Sequence, residues 1–153
     1  MIYPERHEIQ DELELLRKIT LSDFSGVAWM DRHDHRIRWL FASGNNSLRY
    51  RDLALKPGRG LAGLVIKLGR PVIIDSTMAN YDRIKHDYSI MMVEHLQSAA
   101  AVPLAIQNEV HGVLLIGSRT MRIYHKNDVM AVTSVADRLV ILFMQTISDK
   151  MRK

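Results

Sequence analysis

Residues 99–106 and 110–118 are two almost wholly apolar segments joined by Gln107-Asn108-Glu109. Two such runs around a polar turn predict a β-hairpin. A hairpin with no polar alternation needs cover on both faces, so it belongs inside a sheet with a layer on either side. Pro103, within the first run, withdraws one ladder donor and predicts a bulge or an edge there. A second hairpin precedes it. Residues 24–30 and 36–42 are rich in β-formers and flank the polar turn Asp31-Arg32-His33-Asp34-His35. Val72-Ile73-Ile74 reads as a further short buried strand.

Helical spacing brackets these strands. Over residues 5–20, Ile9, Leu13 and Leu16 share one face. Residues 61–68 are apolar, open after Lys56-Pro57-Gly58-Arg59-Gly60, and are stopped by Gly69 and Pro71. Residues 75–88 are polar and read as a long irregular loop, and residues 88–96 as a short helix. A C-terminal helix is predicted over 127–148, capped by Asn127 or Asp128, with the stripe Val129, Val132, Ala136, Leu139, Val140, Phe143 and Ile147. Over residues 139–144 the apolar side chains encircle that helix. One face can meet the sheet; the rest calls for cover from the first helix or a second copy of the chain.

The 153 residues suit one domain over 1–153, with a sheet region over 23–118 between the terminal helices. A 47% hydrophobic and 25% charged composition excludes a disordered or collagen-like chain. Cysteine is absent, which excludes disulfides, thiolate nucleophiles and Cys-ligated metals or clusters. The longest apolar run, residues 99–106, falls short of the ~20 residues needed to cross a bilayer. The charged opening MIYPERHEIQDELELLRK has no apolar signal segment, so no membrane association and a cytoplasmic location are expected. The net charge of +4 is uneven: −4 over residues 1–31, +7 over 32–70 and +1 over 71–153. The basic middle suits an anionic ligand or partner, and equally a solvated surface. It lies in strands and loops with no helix-turn-helix pattern, so nucleic acid is not an expected partner.

The motifs Gly58-Arg59-Gly60-Leu61-Ala62-Gly63, Gly69-Arg70-Pro71-Val72, Ile74-Asp75, Val102-Pro103-Leu104 and Gly112-Val113-Leu114, in this order, resemble those of the GAF domain family. The resemblance covers nearly the whole chain. It implies an α+β fold: a GAF-like antiparallel sheet with the terminal helices packed on one face and a ligand pocket on the other. Bilin-carrying members and the methionine sulfoxide reductases of this fold use cysteines, which this chain lacks. For haem, His86 or His95 would be the axial candidates.

Within the family the chain is similar to the stand-alone nitrate receptors of Gram-positive bacteria. The likeness rests on Trp39, on the pair Leu61-Ala62, and on Tyr88-Ser89-Ile90-Met91, with Ser89 where the resemblance predicts proline. It implies that Trp39, Leu61, Ala62, Tyr88, Ile90 and Met91 line a nitrate site with no cofactor and no metal. It also implies a sensor histidine kinase of a two-component system as partner, in control of nitrate and nitrite respiration, and a homodimer through the terminal helices. The chemistry is coherent. Nitrate is a flat, weakly hydrated anion, and unpaired N–H groups at a helix start suit it. Glycines 58 and 60 are expected to let the backbone approach the ligand, and Trp39 offers an apolar plane with one N–H. The same residues also suit a plain helix-on-sheet core.

Other residue types carry less. Asp31, His33, Asp34 and His35 have metal-ligand chemistry, but a tight turn favours polar residues anyway. Asp75, Asp82 and Asp87 lack a visible base or nucleophile partner, so no enzyme is expected. A GAF module for an organic ligand such as an amino acid or nucleotide, a ligand-free dimerisation module, and an enzyme using loop carboxylates are the alternative functions.

Overall fold

We describe residues 3–152 of a computed structural model, with side chains to residue 146. The chain runs α1 (Arg6–Thr20), β1 (Phe24–Met30), β2 (Ile37–Ser43), a 3-10 turn (Arg49–Asp52), β3 (Ala54–Leu55), α2 (Gly60–Leu68), β4 (Val72–Ile74), α3 (Tyr81–Asp87), α4 (Ser89–Val93), β5 (Ser98–Ile106), β6 (Glu109–Ser118) and α5 (Lys126–Arg152). The strands form one antiparallel sheet in the order β3-β2-β1-β6-β5-β4.

The apolar hairpin lies inside this sheet. Its turn is tighter than expected: Ile106 pairs with Glu109, and Gln107 and Asn108 both take left-handed conformations, as a two-residue primed turn requires. Pro103 pairs opposite Val113, beyond β4, which reaches only Ala99 to Ala101. The ladder shifts between Leu104 and Ala105.

Alternate residues divide the sheet into two faces. Val27, Trp29, Ala100, Val102, Leu114 and Ile116 face the terminal helices, meeting Ile9, Leu13 and Leu16 of α1 and Val132, Val135, Ala136, Leu139 and Phe143 of α5. Phe24, Ala28, Ile37, Trp39, Ala99, Ala101, Val113 and Leu115 face the other way, under residues of α2, α3 and α4. The layering is the GAF-like one expected: terminal helices on one face, short helices on the other.

Four local expectations need correction. The 75–88 stretch is not all loop: α3 occupies Tyr81–Asp87, held by Tyr81, which is buried and donates its hydroxyl to the Gln97 carbonyl at 2.6 Å. The short helix α4 spans only Ser89–Val93. The cap of α5 is His125, whose carbonyl accepts from Asp128 and Val129. Asp128 reaches back to the His125 N–H at 2.8 Å, the return half of a capping box. Finally, α5 over Lys126–Thr146 is long and apolar enough to cross a membrane, with a mean hydropathy of 1.4. Counting uninterrupted apolar runs overlooks this, because Thr133, Ser134, Asp137 and Arg138 break the run. In the fold its buried stripe is spent on the sheet. Ile147, expected as the last member of that stripe, lies outside the residues whose side chains are described.

Candidate anion site on the short-helix face

The glycine-rich turn sets the start of α2. Gly60 has a φ of 68°, and a Cβ there would meet Leu55 Cδ1 at 2.9 Å. A Cβ on Gly63 would meet the Gly58 carbonyl carbon at 2.8 Å. The close approach is therefore of the turn to its own helix, Gly58 against Gly63. Gly58 has a φ of 79° with open space around it, so its left-handed backbone favours glycine there, while at Gly60 the backbone and the Leu55 contact act together.

That turn leaves α2 uncapped. Arg59 is the N-cap and makes no side-chain cap. The helical ladder opens with the Gly63 N–H on the Arg59 carbonyl at 3.1 Å. Among the described residues, the amides of Gly60, Leu61 and Ala62 have no hydrogen-bond acceptor. These are the orphan donors of a helix start, at the positive end of its dipole. In α4, Met91 and Met92 both donate to the Tyr88 carbonyl, so Ser89 and Ile90 precede that ladder. Helix α4 packs against α2 and the 3-10 turn.

Five of the six expected site residues are buried in one cluster: Trp39, Leu61, Ala62, Ile90 and Met91. Tyr88 is half-buried against it. Burial, helped by the adjacent Asp87 charge, pushes the Tyr88 phenol up, so it stays protonated at neutral pH. Trp39 is 1% exposed, and its Nε1 has no hydrogen-bond partner among the described residues. A buried N–H left unpaired costs about 1–3 kcal/mol. The Ser89 hydroxyl is likewise buried and unpartnered.

Tyr50 also belongs to this cluster, 2% exposed, with its hydroxyl accepting from Arg51 Nε at 3.2 Å. It sits in a four-residue 3-10 turn, too short to show periodicity. Arg59 is exposed beside the helix start. The polar turn at 31–35 is occupied with its own geometry. Asp31 accepts from the His33 N–H at 2.7 Å, and Asp34 accepts from the Arg36 N–H at 2.8 Å and Arg38 Nη2 at 2.6 Å. The Arg38 hydrogen bond, followed by that of Arg36, holds the Asp34 carboxyl down to about 2. His86 is exposed with Nδ1 3.0 Å from the Asp82 carbonyl, and His95 is exposed in a left-handed conformation.

Residues 9–143 of the chain that folds into these layers match the GAF domain family model. The chain belongs to the GAF domain family. This GAF domain resembles the structure of a Staphylococcus aureus NreA protein mutated in its nitrate-binding site. The two are 36% identical with a TM-score of 0.71, covering 78% of this chain and 89% of that one. The GAF domain of a phosphoenolpyruvate-protein phosphotransferase from Coxiella burnetii shares the fold at 18% identity and a TM-score of 0.79, covering 95% of this chain and 86% of that one. Over 85 residues this GAF domain is 34% identical to the HTH-type transcriptional activator RamA of Corynebacterium glutamicum. That match takes in 55% of this chain and 30% of the activator, so the chain spans less than a third of this relative's length.

Proposed function

We propose that this GAF domain, acting as one unit over residues 1–153 without cofactor or metal, is a nitrate sensor and not an enzyme. Nitrate is held by the free amides of Leu61 and Ala62, the Ile90 amide and the Trp39 indole N–H, between the apolar side chains of Ile90, Met91 and Tyr88. The single observation that carries this reading is the buried, unpartnered Trp39 Nε1 in the same cluster as an uncapped helix start. The groups named there are N–H donors and apolar side chains with no charged acceptor among them, which suits a monovalent anion. The similarity to the NreA structure supports it. Phosphate and sulfate are disfavoured because their desolvation costs more than nitrate's.

The signal passes on by contact with another protein. In this reading the protein acts in the cytoplasm: its nitrate-free form holds down autophosphorylation of a sensor histidine kinase, and nitrate relieves it, so that a two-component system controls nitrate and nitrite respiration. Nitrate must then bind one state better than the other, and α3 with α4 are the elements placed to differ. The chain also pairs with a second copy through α1 and α5, where Leu15, Ile19, Met130, Ile141 and Met144 are exposed. Calorimetric titration with nitrate, with nitrite, chloride and iodide alongside, tests the ligand. Saturable heat with nitrate is expected, and its absence refutes the reading. Kinase autophosphorylation that ignores nitrate across the binding range refutes the signalling arm alone.

A further inference from the structure

The Ser89 hydroxyl is buried and, among the described residues, has no hydrogen-bond partner. It stands at the first position of α4, directly before Ile90 and Met91, which are 1% exposed in the Trp39 cluster. A serine at a helix start ordinarily turns its oxygen to water or to a nearby backbone group. This one is shut off from the surface and meets no backbone partner among the described residues. Ile90, the next residue, shares its cluster with Trp39, whose indole N–H on β2 is a second orphan. Two buried polar groups lack partners, one on β2 and one on α4, and the two elements meet through Trp39 and Ile90; a polar guest between them would restore the missing hydrogen bonds.

We infer that the Ser89 hydroxyl is a direct ligand of the bound anion and sets its class, favouring oxyanions over halides. The inference rests on the proposed anion site and adds a residue to it. The three oxygens of nitrate point in different directions within one plane. Donors arriving from β2, from the start of α2 and from the Ser89 side chain can each take a separate oxygen. A hydroxyl donates a directional bond to such an oxygen. It contributes much less to iodide, whose large, diffuse charge accepts hydrogen bonds weakly. The hydroxyl has no charged partner, so it adds selectivity without the cost of burying another ion.

The test is calorimetric titration of the unaltered protein, Ser89→Ala and Ser89→Cys with sodium nitrate and sodium iodide, with urea unfolding of each. In Ser89→Ala, nitrate affinity is expected to fall roughly tenfold, the size of one hydrogen bond to a charged group, with iodide changed less than about twofold. Ser89→Cys, nearly isosteric with a weak donor, is expected to lie between, and it decides the matter if the alanine variant does not fold. An unchanged nitrate-to-iodide ratio in the folded variants overturns the inference. That outcome includes the case where the hydroxyl merely holds a buried water, and it leaves the nitrate reading standing. If the unaltered protein gives no nitrate heat, the nitrate reading fails and this inference with it.

Discussion

Trp29 and Trp39 lie in neighbouring strands on opposite faces of one sheet, and both bury an indole N–H with no partner among the described residues. Their surroundings differ. Trp29 lies parallel to Phe143, with ring centres 4.2 Å apart and planes 4° from coincident, and stacks on His111 at 5.7 Å. Its space is filled by rings, and its unpaired N–H is a cost of that packing. Trp39 shares its cluster with Leu61 and Ala62 of an uncapped helix start and with Ile90, which follows the unpartnered Ser89 hydroxyl. An orphan donor alone is thus not a site. Under the proposed function, it is the company of further unpaired donors, on α2 and at Ser89, that separates Trp39 from Trp29.

The comparison is broken most forcefully at Phe143. Replacing it with alanine removes the ring beneath Trp29 and is expected to cost about 3–5 kcal/mol in urea unfolding. The folded fraction should still bind nitrate normally. Gly112→Ala attacks the same face through the backbone. Its Cβ would meet Trp29 Cε3 at 2.5 Å and the Ala28 carbonyl oxygen at 2.6 Å. A loss of about 1–3 kcal/mol is expected, again with affinity preserved.

Trp39→Phe sharpens the contrast from the other side. It keeps an aromatic ring and deletes the N–H, so nitrate affinity should drop about tenfold in a calorimetric titration. Trp29→Phe should leave affinity unaltered. Equal affinities for the two single variants would erase the distinction between the faces.

The smallest effect is a pH dependence confined to the Trp29 face. Burial lowers the His111 pKa below its ordinary 6.5; Glu109, 3.8 Å away, opposes this and Arg32 adds to it. The unfolded chain therefore takes up its proton first. His111 contributes its full stability above about pH 6.5 and loses it as the pH falls through that value towards the folded pKa. The loss should stay under about 1 kcal/mol in urea titrations at pH 7.5 and 5.5, and His111→Gln should flatten it. A steeper slope in the variant would contradict this assignment.

Much of the scaffold could be read from the chain because its signals are local. The apolar hairpin, the amphipathic α1 and the α5 stripe each repeat a period within one segment. Helix α3 could not be read, since only Tyr81 of its seven residues is buried and its anchor, Gln97, lies beyond α4. Nor could the fastening of α4. Glu94, fully buried, accepts from Arg119 Nη2 at 2.7 Å and from the Asn46 N–H at 2.9 Å, joining three distant segments. In the site, the residue types followed from family resemblance. What the sequence could not supply was pairing: which donors remain free once the ladders form. Ser89 shows this, since in the sequence it is only a substituted position.

The outer edge of β5 past Ala101 has one further consequence. Because β4 is three residues long, the stretch from Val102 to Ile106 pairs with no strand on that side among the described residues. An apolar strand with a bare flank invites a stranger to anneal to it. Pro103 and the slip after Leu104 spoil the template at that point, so the domain can keep a greasy central hairpin without polymerising along its rim.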